Sequence, residues 1–201
     1  MIERMTMQKE EMKPAQSFVQ KGIKQVDKLI ELIRDLLEVT KIQAGKLELK
    51  KTHFVLGELL KECCDDLHAQ SDKHQLIIKG ETNIGVYADR NRMEQVLVNL
   101  ISNAIKYSPG AGKVVVKVTE SGHAVKVAIT DFGIGIPKDK LPFLFDRFYR
   151  VDDSSQRYSG LGLGLYISAE IVRRHEGQID IESTPGKGST FWFTIPESNA
   201  E

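Results

Sequence analysis

The apolar stripe between residues 23 and 37 restricts the fold of this chain more than any other sequence feature. Its members recur at alternating spacings of three and four residues, which is the period of an amphipathic helix. The spaced residues are Ile23, Val26, Ile30, Ile33 and Leu37, and Leu29, Leu32 and Leu36 widen the stripe. One helix cannot bury so wide a stripe alone, so we expect a partner helix from this chain or from a second copy. Pro14 is a candidate start of this helix, and Gly45 is its expected end.

The rest of the chain alternates between strand-like and helical patterns. Apolar alternation and β-branched runs predict strands at residues 46–54, 76–78, 86–88, 113–119, 124–131, 178–183 and 190–195, and helical spacing predicts helices at 55–68, 90–107 and 163–175. The short connection at residues 120–122 predicts a hairpin between two of the strands. We therefore expect an α+β fold, a two-layer α/β sandwich with one mixed sheet and helices on one face, preceded by a long α-helix. The expected division is a helical segment at 1–45 and a second domain at 46–201.

Charge and composition exclude several classes of protein. The chain has 28 basic and 28 acidic residues, which argues against a general nucleic-acid-binding or anionic-membrane surface. No apolar run approaches the roughly 20 residues that span a bilayer, and the start has no signal-peptide pattern. Cys63 and Cys64 are adjacent, so a structural disulfide or a metal cluster is not expected. A reducing, cytoplasmic environment follows, with membrane anchoring of a longer parent protein left open.

One edge of the helix at 90–107 is polar. Asn99, Asn103 and Lys106 stand at i, i+4 and i+7, so they share a stripe that borders the apolar arc. An amide oxygen is a suitable Mg2+ ligand, and a lysine can contact a phosphate. An ordinary solvated helix edge is the alternative interpretation.

Asp131 ends a strand on its apolar side. Val125, Val127 and Ile129 have the same strand parity, so the carboxylate points inward and needs a hydrogen-bond donor. The exocyclic amine of adenine would be such a donor, and the glycines that follow would let the backbone approach the base. A common strand-ending turn is the alternative.

Three further segments have features suited to an anion. Alternate glycines at residues 160–164 open a helix, where backbone N–H groups and the helix dipole favour a phosphate. Residues 142–150 interleave two arginines with aromatic side chains, a pattern typical of a mobile loop that contacts phosphate oxygens. Residues 186–190 form a glycine turn into the last strand. A hinge, a surface helix and a plain hairpin are the respective alternatives, and the order of all five segments is more specific than any one of them.

This ordered set resembles the catalytic domain of bacterial sensor histidine kinases, in the superfamily shared with gyrase, a heat-shock chaperone and the MutL repair protein. The N, G1, F and G2 boxes and a further glycine box correspond to residues 99–107, 131–135, 142–150, 160–165 and 186–190. The resemblance covers residues 46–196. Residues 18–49 are similar to the second helix of the family's dimerisation and phosphotransfer domain.

The resemblance implies a Bergerat-type sandwich that binds ATP with Mg2+. Asn103 would ligate Mg2+, Asn99 would act near the phosphates, Lys106 would contact phosphate, and Tyr107 would line the pocket. Asp131 would hold the adenine amine, and residues from about 137 to 162 would form an ATP lid. Arg147 or Arg150 would neutralise charge during phosphoryl transfer. The other implied nucleotide-binding residues are Gly133, Gly135, Ile136, Gly160, Gly162, Leu163, Gly164 and Thr190.

The sequence departs from the family pattern in three ways. Phe132 stands where the family often has Asn, and Leu161 stands where it often has Thr or Ser. The acceptor histidine of the family lies in a His-Glu-x-x-x-Pro motif, and no histidine here has that context. The five histidines, all expected to be surface or capping residues, are His53, His68, His74, His123 and His175. We therefore expect a fragment of a longer kinase, without the first helix and the acceptor.

The implied function is that of the ATP-binding catalytic module of a two-component sensor histidine kinase. It would transfer the γ-phosphoryl group to a protein histidine for relay to a response-regulator receiver domain, with a homodimeric parent. A nucleotide-binding scaffold (a pseudokinase) and an anti-sigma-type serine kinase are the alternatives. The heptad helix argues against the serine kinase. A gyrase-like ATPase would need a glutamate at the position of Asn99, where an amide cannot act as a general base.

Overall fold

The computed structural model describes residues 2–70, 74–122, 124–151 and 160–196, with the backbone alone for 2–17, 24, 69 and 70. This part of the chain forms two sheets and four α-helices. In chain order the elements are α1 (Ile2–Gln43), β1 (Thr52–Val55), α2 (Leu56–Gln70), β2 (Gln75–Gly80), β3 (Gly85–Ala88), α3 (Arg90–Lys106), β4 (Lys113–Ser121), β5 (Ala124–Thr130), a 3-10 helix (Lys138–Phe143), α4 (Gly164–Arg174), β6 (Ile179–Thr184) and β7 (Gly188–Pro196). The larger sheet has the strand order β2-β4-β5-β7-β6. Its β2–β4 pair is parallel, and its other pairs are antiparallel.

The sandwich predicted from the sequence is confirmed, but the single sheet is not. Strand β1 pairs antiparallel with β3, from Thr52–Ala88 to Val55–Gly85, in a separate two-stranded sheet. The predicted strand at 46–54 was too long, because residues 46–51 form no strand ladder. Their backbone is held by another group: Lys50 N–H donates to the Asp89 carboxylate at 2.7 Å.

The core lies between one face of the large sheet and the helices α2, α3 and α4. Every second side chain of β5 is fully buried, as the alternation predicts. Helix α3 contributes a continuous apolar arc to the same core: Met93, Val96, Leu97, Leu100, Ile101 and Ala104. These six side chains are 0–2% exposed, so the rotation of α3 about its own axis is fixed by packing.

Helix α1 leaves its apolar stripe on the surface. Ile23, Val26, Ile30, Ile33 and Leu37 are 42–56% exposed. The need for a partner helix therefore stays a prediction. Among the described residues, no helix combines the length and the apolar content that crossing a membrane requires.

Both expected ends of the long helix can be compared with the structure. The expectation that the helix starts at Pro14 was wrong, because α1 already begins at Ile2 and continues through this position. The expected end is confirmed. Gly45 has a φ of +69°, and Lys46 N–H donates to the Lys41 carbonyl at 2.9 Å, as in a glycine-terminated helix.

The C-terminal part of α1 is docked near α3 and the end of α4 by apolar and polar contacts. Val39 and Ile42 are buried. Glu38 forms an ion pair with Arg92 on α3 and accepts a hydrogen bond from Gln95 Nε2 at 3.0 Å. At the end of α4, Arg174 donates to the carbonyl of Leu47 at 2.9 Å. Three segments distant in sequence are thereby joined at one corner.

Two histidines are buried, His74 and His175. The expectation of a surface or capping role was wrong for His74, whereas His175 is the C-cap residue of α4, as expected, although it is not at the surface. His74 is 4% exposed, with Nε2 2.7 Å from the Ser108 carbonyl. His175 is 2% exposed; its Nε2 accepts from the Asp89 backbone N–H at 2.9 Å, and its Nδ1 lies 2.8 Å from the Ile171 carbonyl. His175 therefore uses both nitrogens of a neutral ring, with the proton on Nδ1. His53 and His68 are exposed as expected, and His123 lies outside the described residues.

We predict that stability falls in mild acid because of His175. Burial lowers the pKa of His175 below its ordinary value of 6.5. The unfolded chain then binds the proton first, so this contribution is complete above about pH 6.5 and is lost as the pH falls below it. Urea denaturation between pH 7.5 and 5.5 should show a slope of up to about 1.4 kcal/mol per pH unit from this one proton.

The variant His175→Gln removes this titration and should flatten the pH dependence. His68→Gln, at an exposed position on α2, should retain the wild-type slope. Equal slopes for wild type and His175→Gln would contradict the assignment of a buried neutral imidazole.

Candidate functional site

The polar edge of α3 faces the start of α4. Asn99 and Asn103 are half-buried, and their amides contact each other, since Asn103 Nδ2 donates to Asn99 Oδ1 at 3.3 Å. Asn99 Nδ2 donates in turn to Ser168 Oγ at 2.9 Å. Tyr107 caps the C-terminal end of α3 and is 36% exposed. The structure therefore confirms the predicted stripe beside the apolar arc.

Asp131 is the buried carboxylate of the site. It is 4% exposed and accepts a hydrogen bond from Gly133 N–H at 2.8 Å. Burial raises the pKa of Asp131, while hydrogen bonds from Gly133 and from the backbone and hydroxyl of Ser189 act in the opposite direction. The prediction that this side chain points to the apolar side of the strand is confirmed.

The loop after Asp131 passes between the end of α3 and the β6–β7 turn. A side chain at Gly133 would place its Cβ 2.0 Å from the Tyr107 carbonyl oxygen, so only glycine fits there. A Cβ atom added at Gly135 would likewise lie 2.1 Å from the Thr184 carbonyl oxygen. Ile136 is half-buried, and its N–H donates to Ser183 Oγ at 2.8 Å. The loop is therefore held on both sides.

The glycine-rich segment leads into α4. Leu163 is 1% exposed, and its carbonyl begins the helical hydrogen bonding. The Gly162 carbonyl accepts a hydrogen bond from Phe148 N–H at 3.1 Å, which joins this segment to residues 142–150. Gly160 is exposed, and Gly164 is the first residue of α4. The expected lid at about 137–162 is described at 137–151 and 160–162, and its residues 152–159 lie outside the described residues.

Three cations converge at the C-terminal end of α3. Burial lowers the pKa of Lys106, and the positive charges of Arg150 and Lys28 lower it further. Lys106 Nζ also lies 5.0 Å from the centroid of the Tyr107 ring. Arg147 is placed differently, with its guanidinium 5.8 Å from the Tyr166 ring on α4.

The side chain of Thr190, a predicted site residue, points to the face of the sheet opposite Asp131. Its hydroxyl is 3.0 Å from that of Thr130, on the face of the sheet opposite the helices. Strand parity is the reason, because Thr190 alternates with the buried Phe191. Ser189, one residue earlier, is 6% exposed and contacts Asp131.

Comparison with known proteins agrees with this geometry. Residues 88–199, more than half of the chain, match the family described as histidine kinase-, DNA gyrase B- and HSP90-like ATPase. The chain belongs to this ATPase family. Among relatives, the circadian input-output histidine kinase CikA of Synechococcus elongatus is 39% identical over 175 residues, which cover 84% of this chain and 23% of CikA. The sensor histidine kinase WalK of Bacillus subtilis is 34% identical over 177 residues, which cover 86% of this chain and 29% of WalK.

Solved structures give the same result. The Acinetobacter baumannii histidine kinase AdeS aligns with a TM-score of 0.73 and 27% identity over 90% of this chain and 84% of that chain. Full-length ShkA in complex with AMPPNP aligns with a TM-score of 0.78 over 92% of this chain and 39% of that chain; at 24% identity it supports the fold alone. The chain spans about a quarter of the length of CikA and of WalK. It carries the ATP-binding catalytic module of the sensor histidine kinase type.

Three residues of this ATPase-family site were not predicted from the sequence. Ser189 shares the strand parity of Phe191, so alternation alone could have identified it. Ser168 has a weaker signal, as a small polar residue within the apolar arc of α4. Lys28 has none, because its position near Lys106 depends on how α1 docks.

We predict that Ser189 and Thr190 differ in their effect on Asp131. Removing the hydroxyl in Ser189→Ala should raise the pKa of Asp131 further, because one of the hydrogen bonds that stabilise the charged carboxylate is lost. Thr190→Ala, on the other face of the sheet, should leave this pKa unchanged. A carboxyl carbon NMR titration of Asp131 in the three proteins measures the difference. A shift in Thr190→Ala of the same size as in Ser189→Ala would show that the orientation is wrong.

Proposed function

We propose that this module transfers the γ-phosphoryl group of ATP to a protein histidine, for relay to the aspartate of a response-regulator receiver domain. The proposal rests on two groups whose charged forms are disfavoured by burial, the carboxylate of Asp131 and the ammonium of Lys106. Nearby positive charge disfavours the Lys106 ammonium further. Helix α3 and the contact of its last turn with Gly133 connect the two groups. ATP complements both, since it has an amine donor at one end and phosphates at the other.

Asp131 fits the adenine end. A carboxylate offers about four acceptor sites; Gly133 N–H occupies one of them at 2.8 Å, and Ser189 lies close enough to stabilise the charge. One further bond can be accepted from the exocyclic amine. Gly133 and Gly135 leave no side chain between the backbone and the base. The half-buried Ile136 and the exposed Tyr107 would supply apolar surface at the pocket wall.

The phosphate end fits one Mg2+ ion held mainly by the nucleotide. Within the described ranges, no three His, Cys, Asp or Glu side chains could hold a metal together. We assign Asn103 as the protein ligand, through its amide oxygen. Lys106, Arg150 and the backbone N–H groups of residues 160–164 would contact the phosphates. When bound, Mg2+ would neutralise negative charge on the phosphates.

The proposed reaction needs little covalent chemistry from the protein. An imidazole nitrogen of the acceptor histidine forms a bond to the γ-phosphorus as the bond to the β–γ bridging oxygen breaks, ADP leaves, and the imidazole proton passes to solvent. Lys106 and Arg150 stabilise the charge that develops on the phosphoryl oxygens. Asn99 is no general base for water, so transfer to a protein is favoured over hydrolysis.

The assembly and setting of the kinase are part of the same proposal. The exposed α1 stripe would pair with a second copy, which gives a homodimer, and the receiver domain would bind a phosphorylated partner helix. We place the module in the cytoplasm, where ATP and receiver domains occur together.

We predict that Asp131→Asn weakens Mg-ATP binding about 10- to 100-fold, the size expected for losing a hydrogen bond to a charged group. The amide keeps the shape but turns one acceptor into a donor, which faces the adenine amine. Calorimetric titration with Mg-ATP measures the change. Asp66→Asn, an exposed position on α2, is the matched control and should bind as wild type does. Equal affinity of Asp131→Asn and wild type would rule out the adenine assignment.

We predict that Arg150→Gln slows phosphoryl transfer about 10- to 1000-fold, in the range for removing one preorganised donor. Arg147→Gln should have a smaller effect, because Arg147 lies against Tyr166 rather than beside Lys106. The assay supplies a dimerisation and phosphotransfer domain with a His-Glu-x-x-x-Pro motif in trans and follows acid-labile phosphate. ATP binding without transfer to any such acceptor would instead favour the scaffold interpretation.

A further inference from the structure

A continuous line of side-chain hydrogen bonds runs from α4 to the proposed Mg2+ ligand. Ser168, on the second turn of α4, is 1% exposed, which is unusual for a serine among apolar neighbours. Its Oγ accepts from Asn99 Nδ2 at 2.9 Å, and Asn99 Oδ1 accepts from Asn103 Nδ2 at 3.3 Å. The three side chains therefore form one chain with a single direction, from Asn103 to Ser168.

The direction of this chain decides which atom Asn103 presents. An amide has one acceptor end and one donor end. Asn99 Nδ2 donates to Ser168 Oγ, and Asn99 Oδ1 faces Asn103. That oxygen takes the Nδ2 end of Asn103, so Asn103 Oδ1, the only end that can bind a cation, is directed away from Asn99.

Asn99 is also held from a second side. A Cβ atom at Gly164 would lie 2.5 Å from Asn99 Oδ1, so the first turn of α4 packs directly on this amide. Packing limits where the amide can sit, but a flipped amide has nearly the same shape. The Ser168 hydroxyl lies at the Nδ2 end of Asn99, where an alanine would provide no acceptor.

We propose that Ser168 is a positioning residue for the Mg2+ site. It fixes the amide of Asn99, and Asn99 fixes Asn103 with its oxygen available to the metal. This assignment rests on the proposed function, and it places Asn99 as an orienting group between α4 and the metal ligand.

The experiment is calorimetric ATP titration over a series of Mg2+ concentrations and in EDTA. Ser168→Ala should need about three- to tenfold more Mg2+ for half-maximal tight binding, the size of one hydrogen bond, with unchanged affinity in EDTA. Ser168→Thr keeps the hydroxyl and should restore the wild-type requirement. Ser102→Ala is the matched control, since its hydroxyl contacts the Asn99 backbone carbonyl, at 3.0 Å, and not the amide.

A double-mutant cycle separates positioning from general stability. In an Asn99→Ala background, Ser168→Ala should change the Mg2+ requirement no further, because Ser168 acts through Asn99. Additive losses, a wild-type Mg2+ requirement in Ser168→Ala, or an equal loss with Mg2+ and in EDTA would each overturn the proposal. Wild-type protein that binds no Mg-ATP would overturn the proposed function together with it.

A measurement on the unaltered protein covers the case in which Ser168→Ala does not fold. One proton of the Asn99 side-chain amide should exchange slowly with solvent without nucleotide, and the Asn103 amide resonances should shift on adding Mg2+ to the ADP complex. Fast exchange of both Asn99 amide protons would show that the chain of hydrogen bonds does not form, and would overturn the proposal.

Discussion

Helix α3 has to bury one face completely, and the position of the site follows from that constraint. Its six apolar side chains are 0–2% exposed against the large sheet, which leaves no freedom of rotation about the helix axis. At about 100° per residue, the stripe of Asn99, Asn103 and Lys106 must then emerge at the edge facing α4. A rotation by one residue would bury these groups among apolar side chains, at about 2–7 kcal/mol for each unpaired polar group. Apolar packing thus positions the polar chemistry.

The environment disfavours the charged form of the ionisable group at each end of the site. Burial raises the pKa of Asp131 and lowers that of Lys106, so both displacements favour the neutral forms. A ligand that brings a hydrogen-bond donor to the carboxylate and an anion to the ammonium reverses both effects. Binding and protonation are therefore linked, and the same burial that destabilises the charges strengthens their interaction with a complementary ligand.

The local sequence pattern was sufficient to predict the burial and orientation of a side chain wherever its neighbours are close in sequence. Periodicity predicted the apolar arc of α3, the paired strands β4 and β5, and the inward orientation of Asp131. Strand parity would also have favoured Ser189 over Thr190 as the residue that faces Asp131. Partners far away in sequence were not predictable. His175 is buried because its ring meets the backbone of Asp89, 86 residues earlier, and His74 meets Ser108, 34 residues later. The ordered glycine and amide segments identified the family, because their order and spacing in the sequence do not depend on the docking of α1.

The docking of α1 uses the same edge of α3 that carries the site. Near the N-terminal end of α3, Glu38 pairs with Arg92 in a partly buried contact that adjoins the buried Val39. Near the other end, Lys28 of α1 lies close enough to Lys106 to lower its pKa. The first contact holds the C-terminal part of α1 on α3, and the second brings positive charge to the end of α3 that carries Lys106. The docking of α1 therefore contributes to the charge around Lys106, because it sets the position of Lys28.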